Sequence, residues 1–172
     1  MKKAVVVVDM QNDFIDGSLG SKEAQEMLPR LKDKLQKVVE NDEVGLIFTM
    51  DTHSENYLST QEGQNLPVEH CIKGTHGWEI TDELTNFVKQ AKAVVEKPAF
   101  GSMDVIKWLS GVDEVELVGL CTDICVISNA LLIKAAYPEA VVSVDSACCA
   151  GVTPESHKNA LEAMKMCQIK VL

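Results

Sequence analysis

Apolar residues fall into short continuous runs along the chain, separated by polar segments and by stretches of helical periodicity. Runs at residues 4–9, 44–50, 93–96, 115–120, 140–145 and 168–172 predict six strands. Several are unbroken Val, Ile and Leu rather than alternating, which suits strands buried on both faces of a parallel sheet. Between the first two, Ala24, Met27, Leu28, Leu31, Leu35, Val38 and Val39 recur at the spacing of one helix face and predict a helix laid over one side of that sheet. Asp123 is placed to cap a helix reaching about residue 136; its Val126, Ile127, Ala130, Leu131, Ile133 and Ala135 are apolar nearly all round, so deep burial is expected. Thr153, Pro154 and Glu155 read as another helix start, because proline loses nothing in a first turn and an acid there suits the helix dipole. The expected fold class is α/β, a doubly wound three-layer α/β/α arrangement with a six-stranded, mostly parallel sheet in the order 3-2-1-4-5-6. Ligands of such sheets bind beyond the strand C-termini at the switch point.

The segment 51–78 breaks this rhythm. It is long, polar and poorly periodic, and it holds three of the four histidines, which points to function, since structureless loops of that length are uncommon in compact domains. The turn after the first strand reads DMQNDFIDGS instead of a G-x-G-x-x-G fingerprint, and its carboxylates would repel a pyrophosphate. Nucleotide binding there is disfavoured.

Composition narrows the classes further. The 172 residues suffice for one domain, taken here as residues 1–172, and the 46% hydrophobic and 24% charged content is that of a globular chain. The formal charge of −10 is spread without a basic stripe, so no nucleic-acid partner is expected. The five apolar residues after Lys2 and Lys3 fall short of the roughly 7 to 15 of a secretory h-region, and no run approaches the roughly 20 of a membrane span. A cytoplasmic protein without a membrane partner is expected, with its six cysteines reduced.

The polar residues at the predicted strand ends are Asp9, then Asp51 and His53, then Lys97, then Cys121 to Cys125, and a parallel sheet would bring all of them to one edge. Cys125 is expected in the first turn of a helix, where the dipole lowers a thiol's pKa and favours thiolate. Asp9, Lys97 and Cys125 together contain the parts of an activated nucleophile. Singly, each has a plainer reading: the cysteine as core filler, the aspartate as a cap, the lysine as a solvated charge. In D-T-H, residues 51 and 53 face the same way along an extended segment, and His70 could complete a site of one carboxylate and two imidazoles suited to Zn²⁺, Mn²⁺ or Fe²⁺, with Glu62 as a fourth ligand. A structural or solvated role for the same residues stays open on spacing alone. His76 and His157 read as surface residues, Cys148 and Cys149 as packed small residues, and Cys71 as a conceivable ligand. The Cys121/Cys125 spacing is one residue too long for a thioredoxin-type pair.

Four segments, in order, resemble the isochorismatase-like cysteine hydrolases, and within them the nicotinamidases (pyrazinamidases): DMQNDF; DTH with VEHCIKGT; EKPAFGS; and GLCTDICV. The resemblance spans nearly the whole chain. It implies Asp9 as general base, Lys97 as the partner that holds the thiolate, and Cys125 as nucleophile. It further implies a cis peptide between Leu120 and Cys121 that aims the amides of Cys121 and Cys125 at an oxyanion, and one divalent metal, zinc in the first instance, on Asp51, His53 and His70. The implied reaction is hydrolysis of a small-molecule amide, nicotinamide or pyrazinamide, to acid and ammonia through a thioester, in NAD salvage, with Phe14 and Phe100 against the substrate ring. The alternatives are a relative acting on another small amide or carbamoyl compound, and a non-catalytic binding module on the same fold. A homo-oligomer is compatible with either. The chain departs from many members in being short between His70 and Lys97 and at its C-terminus, in carrying Cys121 where alanine is common, and in having only Phe14, Tyr57, Trp78 and Phe100 as nearby aromatics.

Overall fold

The computed structural model describes residues 2–172. Chain order is β1 (Lys3–Val8), α1 (Asn12–Ile15), α2 (Lys22–Val39), β2 (Val44–Asp51), α3 (Gln61–Asn65), α4 (Thr85–Val88), β3 (Ala93–Lys97), α5 (Met103–Lys107), β4 (Glu114–Leu120), α6 (Ile127–Ala136), β5 (Val141–Ala150), α7 (Pro154–Met166) and β6 (Lys170–Val171). The strands form one sheet in the order β3-β2-β1-β4-β5-β6, every pair parallel, as the run pattern predicts.

The continuous apolar runs have a direct cause. In β1, Ala4, Val6 and Val8 enter the core cluster shared with α5, α6 and α7, whereas Val5 and Val7 enter the cluster shared with α1, α2 and α4. Both faces of the central strands are covered, so nearly every position along β1 is apolar. α2 presents Ala24, Met27, Leu28, Leu31 and Leu35 inward, and the Ser21 side chain caps it by accepting from the Ala24 N–H. Thr153 and Ser156 form a capping box ahead of α7 with Pro154 in its first turn, as expected.

Three elements differ from the sequence reading. β5 runs on to Ala150 instead of ending near residue 145, with a register irregularity opposite Leu117 to Gly119, and the polar Asp145 and Ser146 within it hid the extension. The helix expected from Asp123 begins as a wide turn over residues 122–126, in which the Val126 N–H donates to the carbonyl of Cys121, five residues back, at 3.0 Å. Asp123 caps nothing; its carboxylate accepts from the Val152 N–H at 3.1 Å. α6 buries Asn129, Ala130 and Ile133 but leaves Leu131 39% exposed, so it is half covered, because no element packs over its outer face among the described residues.

Candidate active site

Asp9 leaves the end of β1 with a left-handed backbone, φ 47°, which a short polar side chain tolerates better than a branched one. It is held there by Thr49, whose hydroxyl donates to Asp9 Oδ1 at 2.6 Å while the Asp9 N–H approaches the Thr49 carbonyl and hydroxyl oxygens, each at 3.2 Å. On the neighbouring pair of strands, Asp51 and Lys97 are register partners and so bring their side chains to the same place. Gly119 of β4 lies opposite Val8 at φ 113°, where an added Cβ would stand 2.2 Å from the Val8 carbonyl oxygen; only glycine lets the nucleophile strand pack this closely on β1.

These elements converge on one buried group. Lys97 Nζ lies 2.6 Å from Asp9 Oδ2, 3.4 Å from Cys125 Sγ, 3.5 Å from Asp51 Oδ1 and 3.1 Å from the carbonyl of Ala99. Asp9 and Lys97 are fully buried and Cys125 nearly so. Asp9 Oδ1 accepts from the Thr49 hydroxyl, whereas Oδ2 makes the ion pair with Lys97 and is the oxygen left to take a proton.

Electrostatics correct one expectation. Burial pushes the Cys125 thiol well above its ordinary value, and the Asp9 charge pushes it further, outweighing the Lys97 ammonium. Both push the resting sulfur toward the thiol form, against the expectation from a helix mouth. Burial raises the Asp9 carboxyl as well, against the pull of Lys97. Burial disfavours the Lys97 ammonium, but the Asp9 and Asp51 charges more than offset this and keep it charged. Burial pushes the Cys121 thiol up to about 12, aided by Asp123.

Beside this group, one ligand atom from each of Asp51, His53, Glu62 and His70 lies within 4.8 Å of the others. Asp51 Oδ2 is 3.0 Å from His53 Nε2 and 3.5 Å from His70 Nε2, and Glu62 Oε1 is 3.6 Å from each ring nitrogen. Tetrahedral ligands about 2.0–2.2 Å from one ion stand roughly 3.3–3.6 Å apart, so these separations fit a metal. The donor chemistry fits too. His70 Nδ1 is 2.8 Å from the Val68 carbonyl, which can only accept, so the proton sits on Nδ1 and the Nε2 lone pair faces the cluster. Burial would raise Asp51, but the adjacent His53 and His70 rings and the Lys97 charge hold it well below the usual carboxylate range. Cys71, a conceivable ligand by sequence, is buried in the apolar core on the α2 side instead and gives its N–H to Asp13 Oδ2 at 2.8 Å.

A cavity over the sulfur is lined by Phe14, Leu19, Leu66, Phe100, Cys121 and Ile124, with Asp51, Glu62, His70 and Cys125 at its base. Phe14 is buried with its ring centroid 5.6 Å from that of His70, and Phe100 is 44% exposed at the rim. Tyr57 and Trp78 do not line this cavity. The Tyr57 ring packs under the two histidines, 4.8 and 4.9 Å away, and the Trp78 indole N–H donates to Thr52. The Leu120–Cys121 peptide is cis.

Several residues that build the site carry no recognisable signal of their own. Gln11 clamps Asp51, donating to its carbonyl at 2.8 Å and accepting from its N–H at 2.7 Å. Asn129 holds the turn from α6, donating to the Cys125 carbonyl at 2.8 Å and accepting from the Ser102 N–H at 3.0 Å. Gln11 and Asp13 stand inside the DMQNDF segment, which was the available hint; Thr49 and Asn129 stand inside apolar runs. His157, read as a surface residue, is half-buried and bonded to Thr122.

Strand order, crossovers and a thiol at the end of β4 define a three-layer α/β protein of the isochorismatase-like class. The chain belongs to the isochorismatase family, whose domain model matches residues 3–172. It is 27% identical to the nicotinamidase/pyrazinamidase of Mycobacterium tuberculosis, over 99% of this chain and 98% of that one. It is 30% identical to an uncharacterized isochorismatase family protein of Bacillus subtilis, over 76% and 78% of the two chains. Among solved structures, the pyrazinamidase of Pyrococcus horikoshii in complex with zinc superposes with a TM-score of 0.86 at 29% identity, covering 100% of this chain and 99% of that one.

Proposed function

We propose that this chain is a metal-containing cysteine amidase that hydrolyses nicotinamide or pyrazinamide to the carboxylic acid and ammonia. The observation that carries the proposal is the single ammonium, Lys97 Nζ, within 2.6 Å of a buried carboxylate and 3.4 Å of a buried thiol at the base of a mostly apolar cavity. A thiol beside a carboxylate able to take its proton, with a cation to hold the resulting thiolate, is the requirement for nucleophilic attack by sulfur. Relatives named nicotinamidase support the substrate.

In the proposed sequence Asp9 Oδ2 takes the Cys125 proton as the sulfur bonds to the carboxamide carbon, and Lys97 stabilises the sulfur while it is anionic. The carbonyl oxygen becomes an oxyanion that the backbone amides of Cys121 and Cys125 would receive. As the C–N bond breaks, the proton on Asp9 passes to the departing nitrogen, which leaves as ammonia, and an acyl thioester remains on Cys125. Asp9 then takes a proton from water as its oxygen attacks the thioester carbon. The C–S bond breaks, the acid leaves, and the sulfur regains its proton. Asp51, His53, His70 and Glu62 would hold a divalent ion, zinc in the first instance, which supplies a Lewis-acid anchor for a polar atom of the substrate. Phe14 and Phe100 would flank the ring, and Leu19, Leu66 and Ile124 would keep bulk water away from the thioester.

Ammonia release from nicotinamide by metal-replete protein tests the assignment. Release by the wild type that vanishes in Cys125→Ala, with thermal stability kept, is the expected result. No release from nicotinamide or pyrazinamide, with turnover of other small amides, would reject the substrate and keep the mechanism.

A further inference from the structure

The turn that carries Cys125 is tied from behind to the corner between β5 and α7. Thr122, fully buried in that turn, places its hydroxyl oxygen 2.7 Å from Nδ1 of His157 on α7. The next residue is held by the same corner, since the Asp123 carboxylate accepts from the Val152 N–H at 3.1 and 3.3 Å. The corner can come this close because residue 151 is glycine: a Cβ there would lie 2.9 Å from the His157 Cα, Cβ and backbone nitrogen. α7 is a firm platform for the imidazole, with its start fixed by the Thr153/Ser156 capping box.

A single turn closed by an i to i+5 bond is a rare departure from the regular helix, so its shape depends on outside ties. Here the ties are few and identifiable: Asn129 on the Cys125 carbonyl from one flank, and from the other His157 on Thr122 and the Val152 N–H on Asp123. Burial lowers the His157 pKa despite the nearby Asp123 charge, so the ring is neutral near pH 7 and pairs with the Thr122 hydroxyl as a neutral hydrogen-bonding group.

We infer that His157 is a positioning residue for the nucleophile, fixing through Thr122 the turn that aims the Cys125 sulfur and the Cys121 and Cys125 amides. It stands outside the substrate cavity, so it acts on the chemical step and not on binding. The inference rests on the amidase reading for its kinetic arm, but the geometry it concerns does not.

The experiment compares His157→Leu, His157→Asn, Thr122→Val and the double variant Thr122→Val/His157→Leu. A small displacement of reacting groups costs one to two orders of magnitude in rate, so His157→Leu and Thr122→Val should each lose about tenfold in kcat with KM changed by less than about twofold. Because both remove one hydrogen bond, the double variant should be no worse than either single one. Asparagine can set an amide atom near the place of Nδ1, and His157→Asn should recover most of the lost kcat. Losses that multiply in the double variant, an unchanged kcat in His157→Leu, or an asparagine variant as slow as the leucine one would overturn the inference. A second readout needs no substrate: the rate at which iodoacetamide alkylates Cys125, read by peptide mass spectrometry. That rate should differ from wild type by at least about threefold in His157→Leu and stay near wild type in His157→Asn, since thiol reactivity follows its local environment. If the wild type released no ammonia the amidase reading would fall, and the alkylation rates alone would decide the role of His157; equal rates in all variants would reject it.

Discussion

Replacing Lys97 by methionine keeps the length of the side chain and removes its charge, which tests the electrostatics of the site in two independent ways. Lys97 is fully buried and touches Asp9 Oδ2 at 2.6 Å and Cys125 Sγ at 3.4 Å, so the variant leaves a buried carboxylate with no cation. Removing one partner of a buried pair costs about 3–5 kcal/mol while the other remains charged. The protein can avoid that cost by protonating Asp9, whose carboxyl burial already raises and which Lys97 chiefly pulls back. The sign follows from linkage: a carboxyl whose folded pKa lies above its unfolded value costs nothing below the unfolded pKa, and its destabilising effect grows from there as pH rises, levelling off above the folded pKa. The variant should therefore melt close to wild type near pH 5 and fall behind it toward pH 8. At 2–4 °C per kcal/mol for a chain of this size, the deficit at pH 8 should approach roughly 10 °C. Turnover should fall by about 10²–10³, the scale of losing one preorganised charge contact to a reacting centre. Thermal melts across that pH range, with ammonia release measured at each point, check both. A melting deficit independent of pH, or activity within about threefold of wild type, would refute the assignment of Lys97 as the cation on which both Asp9 and the sulfur depend.

Other outcomes follow from single contacts. Thr49→Val removes the 2.6 Å hydrogen bond to Asp9 Oδ1, which favours the ionised carboxyl; the acid limb of the kcat/KM profile should move to higher pH, because a carboxylate that loses a donor binds its proton more tightly. His70→Ala deletes a nitrogen whose lone pair faces the cluster, and metal content measured by elemental analysis should fall well below one equivalent with activity falling alongside. Gly119→Ala sets a Cβ 2.2 Å from the Val8 carbonyl at a φ of 113°, and denaturant unfolding should show a loss of at least about 3 kcal/mol, since neither the backbone angle nor the contact can be accommodated without moving β1.

The sheet was legible in the sequence because burial on both faces writes itself into a strand as a largely apolar run, unbroken over residues 4–8 and interrupted only at single positions over 44–50 and 115–120. The edge at which Asp9, Asp51, Lys97 and Cys125 meet followed from parallel topology alone, since each stands just past or at the end of a run. What stayed hidden was of another kind. β5 continues through Asp145 and Ser146, and a polar pair inside a strand reads locally as its end. Thr49 and Asn129 act by a single hydroxyl or amide set within apolar surroundings, and nothing in the hydrophobic pattern distinguishes a polar side chain that holds a neighbour from one that merely packs. Asp123 looked like a cap because a cap and a cross-chain acceptor have the same composition, and its true partner, Val152, is distant in sequence. The direction of the thiol's shift was hidden for the same reason: a helix start is visible along the chain, but the burial and the Asp9 charge that raise the thiol come from other strands.

The most direct measurement is acid-quenched turnover of nicotinamide followed by peptide mapping of the protein. A pyridine-carbonyl group carried by the peptide containing Cys125, absent when Asp9 or Cys125 is replaced, is the result this chemistry requires. Undiminished ammonia release from a protein in which Cys125 is alanine would contradict it.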